Sequence, residues 1–141
     1  MQIEKVFVLP FPSQTVYDAW VSSSTVIPPA TRMDIRPEVG GHYRLFIDVD
    51  DDAEDQIIMN EGIFSLVHPG ERLVYTWQWS GDLEVSTIDV TFDSTSDQKG
   101  CQVTLKHTGF ESADSRDRHD SGWDSYAQGL ERHLNEAAAQ P

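Results

Sequence analysis

Apolar and polar residues alternate through the middle of the chain, which is the pattern of strands with one buried and one solvated face. The clearest run is Arg72–Ser80, in which every second residue from Leu73 to Trp79 is apolar or aromatic. Within another run, Gly62 predicts a β-bulge or a close approach of backbone. The predicted strands are Ile3–Leu9, Met33–Pro37, His42–Val49, Gln56–Val67, Arg72–Ser80, Glu84–Asp93 and Cys101–Thr108.

Two further segments have helical spacing of their apolar residues. After Pro12, the positions of Val16 and Trp20 predict a short helix, which Pro28 prevents from continuing. A longer apolar stripe predicts a helix from Arg116 to about Glu136, and the polar residues before it can cap its start. That stripe consists of Trp123, Tyr126, Ala127, Leu130 and Leu134.

The predicted order is strand, helix, about six further antiparallel strands and one long helix. Strands that follow one another without intervening helices indicate an α+β fold. A chain of 141 residues is expected to form one domain, over residues 1–141. The architecture that fits is an antiparallel sheet of six to seven strands wrapped around the C-terminal helix, with the short helix after strand 1.

Only the C-terminal helix is long enough to cover the apolar face of such a sheet. A strongly twisted sheet around one helix leaves unfilled space beneath it, and apolar cavities with a few polar groups are the usual sites for small ligands. We therefore expect a cavity that binds a small apolar or aromatic molecule. Its expected ligand-binding residues are Tyr43, Leu45, Tyr75, Trp77, Trp79, His107, Trp123 and Tyr126.

The charge of the chain narrows the classes of partner. It has 10 Lys and Arg against 24 Asp and Glu, a net charge of −14. This excess argues against nucleic acid and against an anionic membrane as partners. Without a transmembrane run or a signal-peptide pattern, a cytoplasmic location is expected. The single Cys101 excludes an internal disulfide and a multi-cysteine zinc site, and no cofactor is expected.

An acidic run, Asp48–Asp55, superficially resembles a calcium-binding loop. It lacks glycine at the sixth position, and Met59 stands at the twelfth, where such a loop needs Glu. We therefore expect a solvated turn at Asp50–Asp55 and no metal site. The C-terminal AAAQP is expected to fray.

Several polar and aromatic residues admit both a functional and a structural interpretation. His107 could be a polar anchor, a general base, or a histidine satisfied by its neighbours. Trp77 and Trp79 could stack on a flat ligand or fill the core. For His119 and Gly122 we expect structural roles, with the glycine letting the helix approach the sheet closely.

The arginines around the Gly40–Gly41 turn are candidates for a carboxylate clamp only if they point inward. Alternation places Arg44 outward, on the face opposite Tyr43. We expect Glu61 to pair across strands with Arg44 or Arg72, as a structural contact rather than a catalytic acid.

The opening IEKVFVLPFPSQTVYDAW resembles the helix-grip superfamily, which includes START domains, polyketide cyclases and other SRPBCC proteins. Three more motifs are similar to the family of homologues of the heat shock protein 90 ATPase activator: Asp34–Arg44 (DIRPEVGGHYR), Gly62 through Glu71–Trp77 (ERLVYTW), and Thr104–Phe110 (TLKHTGF) followed by HDSGW. The resemblance covers nearly the whole chain and implies a helix-grip fold. One departure is that Val21–Met33 lacks the Trp-Trp pair that family members often carry.

Three functions fit these observations. The favoured one is a small-ligand-binding domain of this family. The second is a cyclase-like or hydrolase-like enzyme using His107, although no nucleophile-elbow, phosphate-loop or dinucleotide motif occurs. The third, implied by the resemblance, is a stress-response or chaperone-interacting protein. A chaperone partner is not favoured, because the acidic surface would require a basic patch. A weak homodimer through exposed strand edges stays open.

Overall fold

The computed structural model describes residues 1–51 and 54–139 of the chain. The acidic turn at Asp50–Asp55 and the end of the AAAQP tail lie partly outside these residues. In chain order the elements are β1 (Gln2–Leu9), α1 (Ser13–Trp20), β2 (Arg32–Ile35), β3 (His42–Asp51), β4 (Glu54–His68), β5 (Arg72–Trp79), β6 (Ser86–Ser94), β7 (Cys101–Thr108) and α2 (Ala113–Ala139).

The strands form one antiparallel sheet in the order β1-β7-β6-β5-β4-β3-β2. Sequential hairpins build six of the strands, and the first strand then pairs with the last, with Ile3 opposite His107. The α+β helix-grip fold predicted from the sequence is therefore confirmed, with seven strands. No helix in the described part of the chain is both long and apolar enough to span a membrane.

The inner face of the sheet is the face that alternation predicted. In β7, Cys101, Val103, Leu105 and His107 are buried while the residues between them are more exposed. Both helices pack on this face. Trp20 of α1 lies at their junction, where its ring stacks on that of Trp123 at 6.0 Å between centroids.

Strand β4 has a close backbone approach and a bulge along its pairing with β5. A Cβ atom on Gly62 would overlap the backbone carbonyl of Thr76 on β5, so this glycine is required by a close backbone approach. The bulge itself lies between Phe64 and Leu66, where the pairing register shifts by one residue. Of the two predictions for Gly62, close approach is the one that the structure shows.

The close contact of α2 is at a different glycine from the one expected. A Cβ on Gly122 would meet no atom within 4 Å, so the prediction that Gly122 lets the helix approach the sheet is wrong. Instead, a Cβ on Gly129 would overlap the side chain of Ile27. The helix therefore touches the segment before β2 through Gly129, and the space beside Gly122 stays open.

The outward arginines make surface ion pairs. Arg44 lies between Asp34 and Glu61, with its Nε 3.5 Å from the Glu61 carboxylate. Arg72 instead makes a two-point contact with Asp89, at 2.7 and 3.0 Å. Glu61 is thus paired with Arg44 rather than Arg72, and such exposed pairs contribute about 1 kcal/mol or less.

Candidate functional site

A cavity of about 650 Å³ lies between the inner face of the sheet and α2. Its size is typical of sites for small organic molecules. Four parts of the chain form its walls: the segment before β2, the inner faces of β3 and β5, the turn after β5, and one side of α2. The lining residues are Ile27, Pro28, Pro29, Ala30, Tyr43, Leu45, Ile47, Trp77, Trp79, Ser80, Gly81, Asp82, Ser115, Arg118, His119, Ser121, Gly122, Trp123, Ser125 and Tyr126.

Two of the eight residues expected in the wall lie behind it. Tyr75 is completely buried, because Trp20 of α1 covers it and donates a hydrogen bond from Nε1 to the Tyr75 hydroxyl at 3.1 Å. His107 is also completely buried, beneath Trp123. The expectation that these two face the cavity is therefore wrong. The six that line it are Tyr43, Leu45, Trp77, Trp79, Trp123 and Tyr126, and their contact with a ligand stays a prediction.

The aromatic wall carries no charge at neutral pH. Burial raises the pKa of the phenols of Tyr43 and Tyr126, so both hydroxyls stay protonated. Trp77 packs among the rings of its neighbours and its Nε1–H has no hydrogen-bond partner in the described structure. These residues present flat apolar surface, with hydroxyl groups as its polar points.

Behind the wall, His107 joins a buried chain of hydrogen bonds. Trp123 Nε1–H donates to His107 Nδ1 at 3.0 Å. Because an indole can only donate, Nδ1 is the acceptor and the proton of the neutral ring is on Nε2. That nitrogen donates to Ser86 Oγ at 2.6 Å, and the Ser86 hydroxyl donates to the Trp77 carbonyl at 3.3 Å. The tautomer is assigned from this network.

The His107–Ser86 distance is that of a base and nucleophile, but the proton positions exclude this role. A general base must accept the serine proton at Nε2, which here already carries a proton. Burial, together with nearby His119, lowers the pKa of His107 from 6.5 to about 3. Its side-chain partners in the described structure are a serine and an indole, not a carboxylate or a phenol. The main support for the enzyme hypothesis is thereby lost.

A second indole–histidine pair lies at the cavity surface. Trp79 Nε1–H donates to His119 Nε2 at 3.2 Å, and His119 Nδ1–H donates to the Ser115 carbonyl one turn earlier at 2.7 Å. Both nitrogens of His119 are thus occupied, as expected for a structural histidine. The pair fixes the orientation of the Trp79 ring in the wall.

A buried carboxylate ties the cavity rim to the start of α2. Glu84 accepts hydrogen bonds from the Glu111 backbone N–H and the Ser115 hydroxyl, each at 2.6 Å. Ser112 caps the helix by accepting the Ser115 N–H at 3.1 Å. The sequence predicted the capping segment but not the role of Glu84, because the contact spans 27 residues or more.

Two other residues of this region were missed by the sequence interpretation. Asn60 is completely buried on the inner face, between Leu45 and Trp79, and neither polar atom of its amide has a partner among the described residues. The sequence signal that could have identified Asn60 is a polar residue at an inward position of β4. Arg118 lines the mouth of the cavity from α2. No motif marked it, because its place depends on how the helix is rotated.

The donor groups around the cavity suit an organic molecule better than a metal ion. Within residues 1–51 and 54–139, no three His, Cys, Asp or Glu side chains are grouped so that they could hold a metal. Cys101 is buried in β7, where burial raises the pKa of its thiol. The cavity offers aromatic rings, a few hydroxyls, the Arg118 guanidinium and the Asp82 carboxylate.

Solved structures share this fold over nearly the full chain. A protein from Chromobacterium violaceum has a TM-score of 0.80 at 20% identity, covering 94% of this chain and 96% of that one. An AHSA1-like protein from Aeromonas hydrophila has 0.75 at 17%, covering 99% and 96%. An HSP90 activator from Plasmodium falciparum has 0.72 at 17%, covering 100% and 98%. At these identities the likeness shows the fold alone.

No curated protein sequence matches the chain significantly. A family model does: the one for activator of Hsp90 ATPase homolog 1-like proteins matches residues 10–135. The match includes both helices up to Asn135 and all strands after β1. The chain therefore belongs to the family of activator of Hsp90 ATPase homolog 1-like proteins.

Proposed function

We propose that this protein binds a small apolar or aromatic molecule in the cavity between the sheet and α2. The observation that carries the proposal is the cavity itself, which has a volume of about 650 Å³ and aromatic walls. Gly122 lines it without a side chain, so the space beside this residue is open. Apolar surface that stays uncovered inside a fold costs free energy, and a ligand that covers it recovers about 25 cal/mol per Å². A cytoplasmic location and a link to the stress response stay predictions.

Binding is favoured over catalysis because neither histidine beside the cavity is free to act as a base. His107 is neutral, buried behind the wall, and engaged at both ring nitrogens. His119 is engaged at both nitrogens as well. A molecule in this cavity would meet aromatic rings, hydroxyls, the Arg118 guanidinium and the Asp82 carboxylate, whose Oδ1 accepts the Glu84 backbone N–H. The rings, hydroxyls and guanidinium hold and orient a ligand without transferring a proton at neutral pH.

The test uses Gly122, since its replacement need not disturb the core. Truncating a wall tryptophan such as Trp77 would cost about 3–5 kcal/mol of stability and would confuse loss of binding with loss of fold. A side chain at position 122 enters open space, and removing glycine from a helix interior stabilises it. Gly122→Phe places a ring in the cavity, whereas Gly122→Ala adds only a methyl group.

N-phenyl-1-naphthylamine, a neutral dye that fluoresces in apolar surroundings, is titrated into the parent protein and both variants. We expect the parent and Gly122→Ala to bind it with similar affinity, and Gly122→Phe to bind at least tenfold more weakly while melting no lower than the parent. Equal binding by all three folded proteins would refute the proposed site. Native mass spectrometry of the freshly purified parent would show a discrete added mass if a ligand is retained.

A further inference from the structure

We infer that the natural ligand is an amphipathic monoanion, with an apolar body in the cavity and its anionic group held by Arg118 at the mouth. The inference rests on the proposed function and specifies the ligand class. It follows from where Arg118 lies, from which acidic groups are already occupied, and from what else lines the rim.

Arg118 is placed between the apolar cavity and water. It lines the cavity from α2, on the same side of the helix as Ser121 and Ser125, and its side chain is exposed. A guanidinium there can reach a group on the ligand without losing its hydration entirely, so its desolvation cost is low. Carboxylates and sulfonates match the planar donor pattern of arginine, which can make two parallel hydrogen bonds to them.

Three acidic residues of α2 contact cations other than Arg118. Lys5 of β1 contacts Asp120 at 3.1 Å and Asp124 at 2.9 Å. Arg116 contacts Asp117 at 3.1 Å and donates to the Gln2 carbonyl. No ion pair of Arg118 is formed within the described structure, although the whole chain carries a net charge of −14.

One carboxylate shares the rim with Arg118. Asp82 lies in the turn after β5, where its Oδ1 accepts the Glu84 backbone N–H at 3.1 Å. This contact fixes one oxygen of the carboxylate within the turn. A fixed negative charge at the rim also disfavours a second anionic group on the ligand, which is why a monoanion fits better than a dianion.

Two hydroxyls complete the polar edge. Ser121 and Ser125 line the cavity from the same side of α2 as Arg118. Both can donate hydrogen bonds to an anionic oxygen. The opposite wall, formed by Ile27 to Ala30, offers none, since its lining side chains are apolar. The cavity is thus apolar within and cationic at one edge, which is the pattern complementary to an amphipathic acid.

The experiment compares two dyes that share one skeleton. 8-Anilinonaphthalene-1-sulfonate carries an anionic group, and N-phenyl-1-naphthylamine is the same molecule without it. Both are titrated into the parent, Arg118→Gln and Arg132→Gln at low ionic strength. Arg132 is the matched control, because it is an exposed arginine of the same helix that does not line the cavity.

We expect Arg118→Gln to weaken sulfonate binding about five- to tenfold and to leave the neutral dye within twofold, as for a partly exposed charge-assisted contact. Arg132→Gln should change neither affinity. If Arg118→Gln leaves sulfonate binding unchanged, or if both substitutions weaken it equally, the inference is overturned while the proposed function stands. If the parent binds neither dye, the proposed function and the inference both fail.

Discussion

Replacing His107 tests the hydrogen-bonded chain behind the cavity wall through the pH dependence of stability. In the folded protein burial lowers the pKa of His107 to about 3, whereas the unfolded chain has the ordinary value near 6.5. The unfolded state therefore binds the extra proton first as the pH falls. Above pH 6.5 the protonation of His107 does not lower the free energy of unfolding. Between pH 6.5 and about 3 it lowers that free energy progressively.

The size of the effect follows from that pKa difference. Each unit is worth 1.36 kcal/mol, so lowering the pH from 7 to 4.5 should remove roughly 2–3 kcal/mol through this one side chain. His107→Gln removes the titration and keeps the geometry, since its amide can accept from Trp123 and donate to Ser86. His68, which is exposed at the end of β4, provides a control in His68→Gln.

The assay is urea unfolding of the parent and both variants at pH 7.0, 5.5 and 4.5. We expect the free energy of unfolding of His107→Gln to fall by about 2–3 kcal/mol less than that of the parent over this range, and His68→Gln to follow the parent. Carboxylates contribute equally to all three proteins and cancel. If the free energy of unfolding falls equally in the parent and in His107→Gln, the histidine is not buried in its neutral form. The assigned tautomer would then be wrong as well.

Two further substitutions test contacts that frame the cavity. Gly62→Ala should destabilise the protein by about 2 kcal/mol or more in urea unfolding, because the new Cβ overlaps the Thr76 carbonyl; a change under 0.5 kcal/mol would contradict the close approach. Glu84→Gln should cost about 1–3 kcal/mol and speed amide exchange in the first turn of α2, because a charged acceptor of the Glu111 N–H and the Ser115 hydroxyl is lost. Unchanged exchange there would show that Ser112 alone holds the helix start.

The strands were predictable because their signal is local. Alternation in β5 and β7 specifies one inward face, and the same residues are buried in the structure. Gly62 was also recognisable, since a glycine within a strand pattern usually marks a bulge or a close approach. Neither inference needed knowledge of what packs against the sheet.

The cavity was predictable in outline and not in detail. Tyr75 and His107 share the inward face with true wall residues, but Trp20 and Trp123 cover them, and covering depends on contacts distant in sequence. Gly122 and Gly129 are both glycines inside the helical pattern of α2, and nothing in the local sequence distinguishes their roles. Only the position of the Ile27 segment distinguishes the one that needs to be glycine.

The contact at Gly129 has a consequence for what the cavity can hold. Ile27, which touches this glycine, begins the stretch that forms one wall. Any side chain at position 129 would overlap the Ile27 side chain, so that side chain or the stretch that it begins would have to shift away from α2. Gly129 does not line the cavity, but it helps to set the distance between α2 and the wall that begins at Ile27. We expect relatives with a different residue at this position to bind ligands of different thickness, even where the residues that line the cavity are the same.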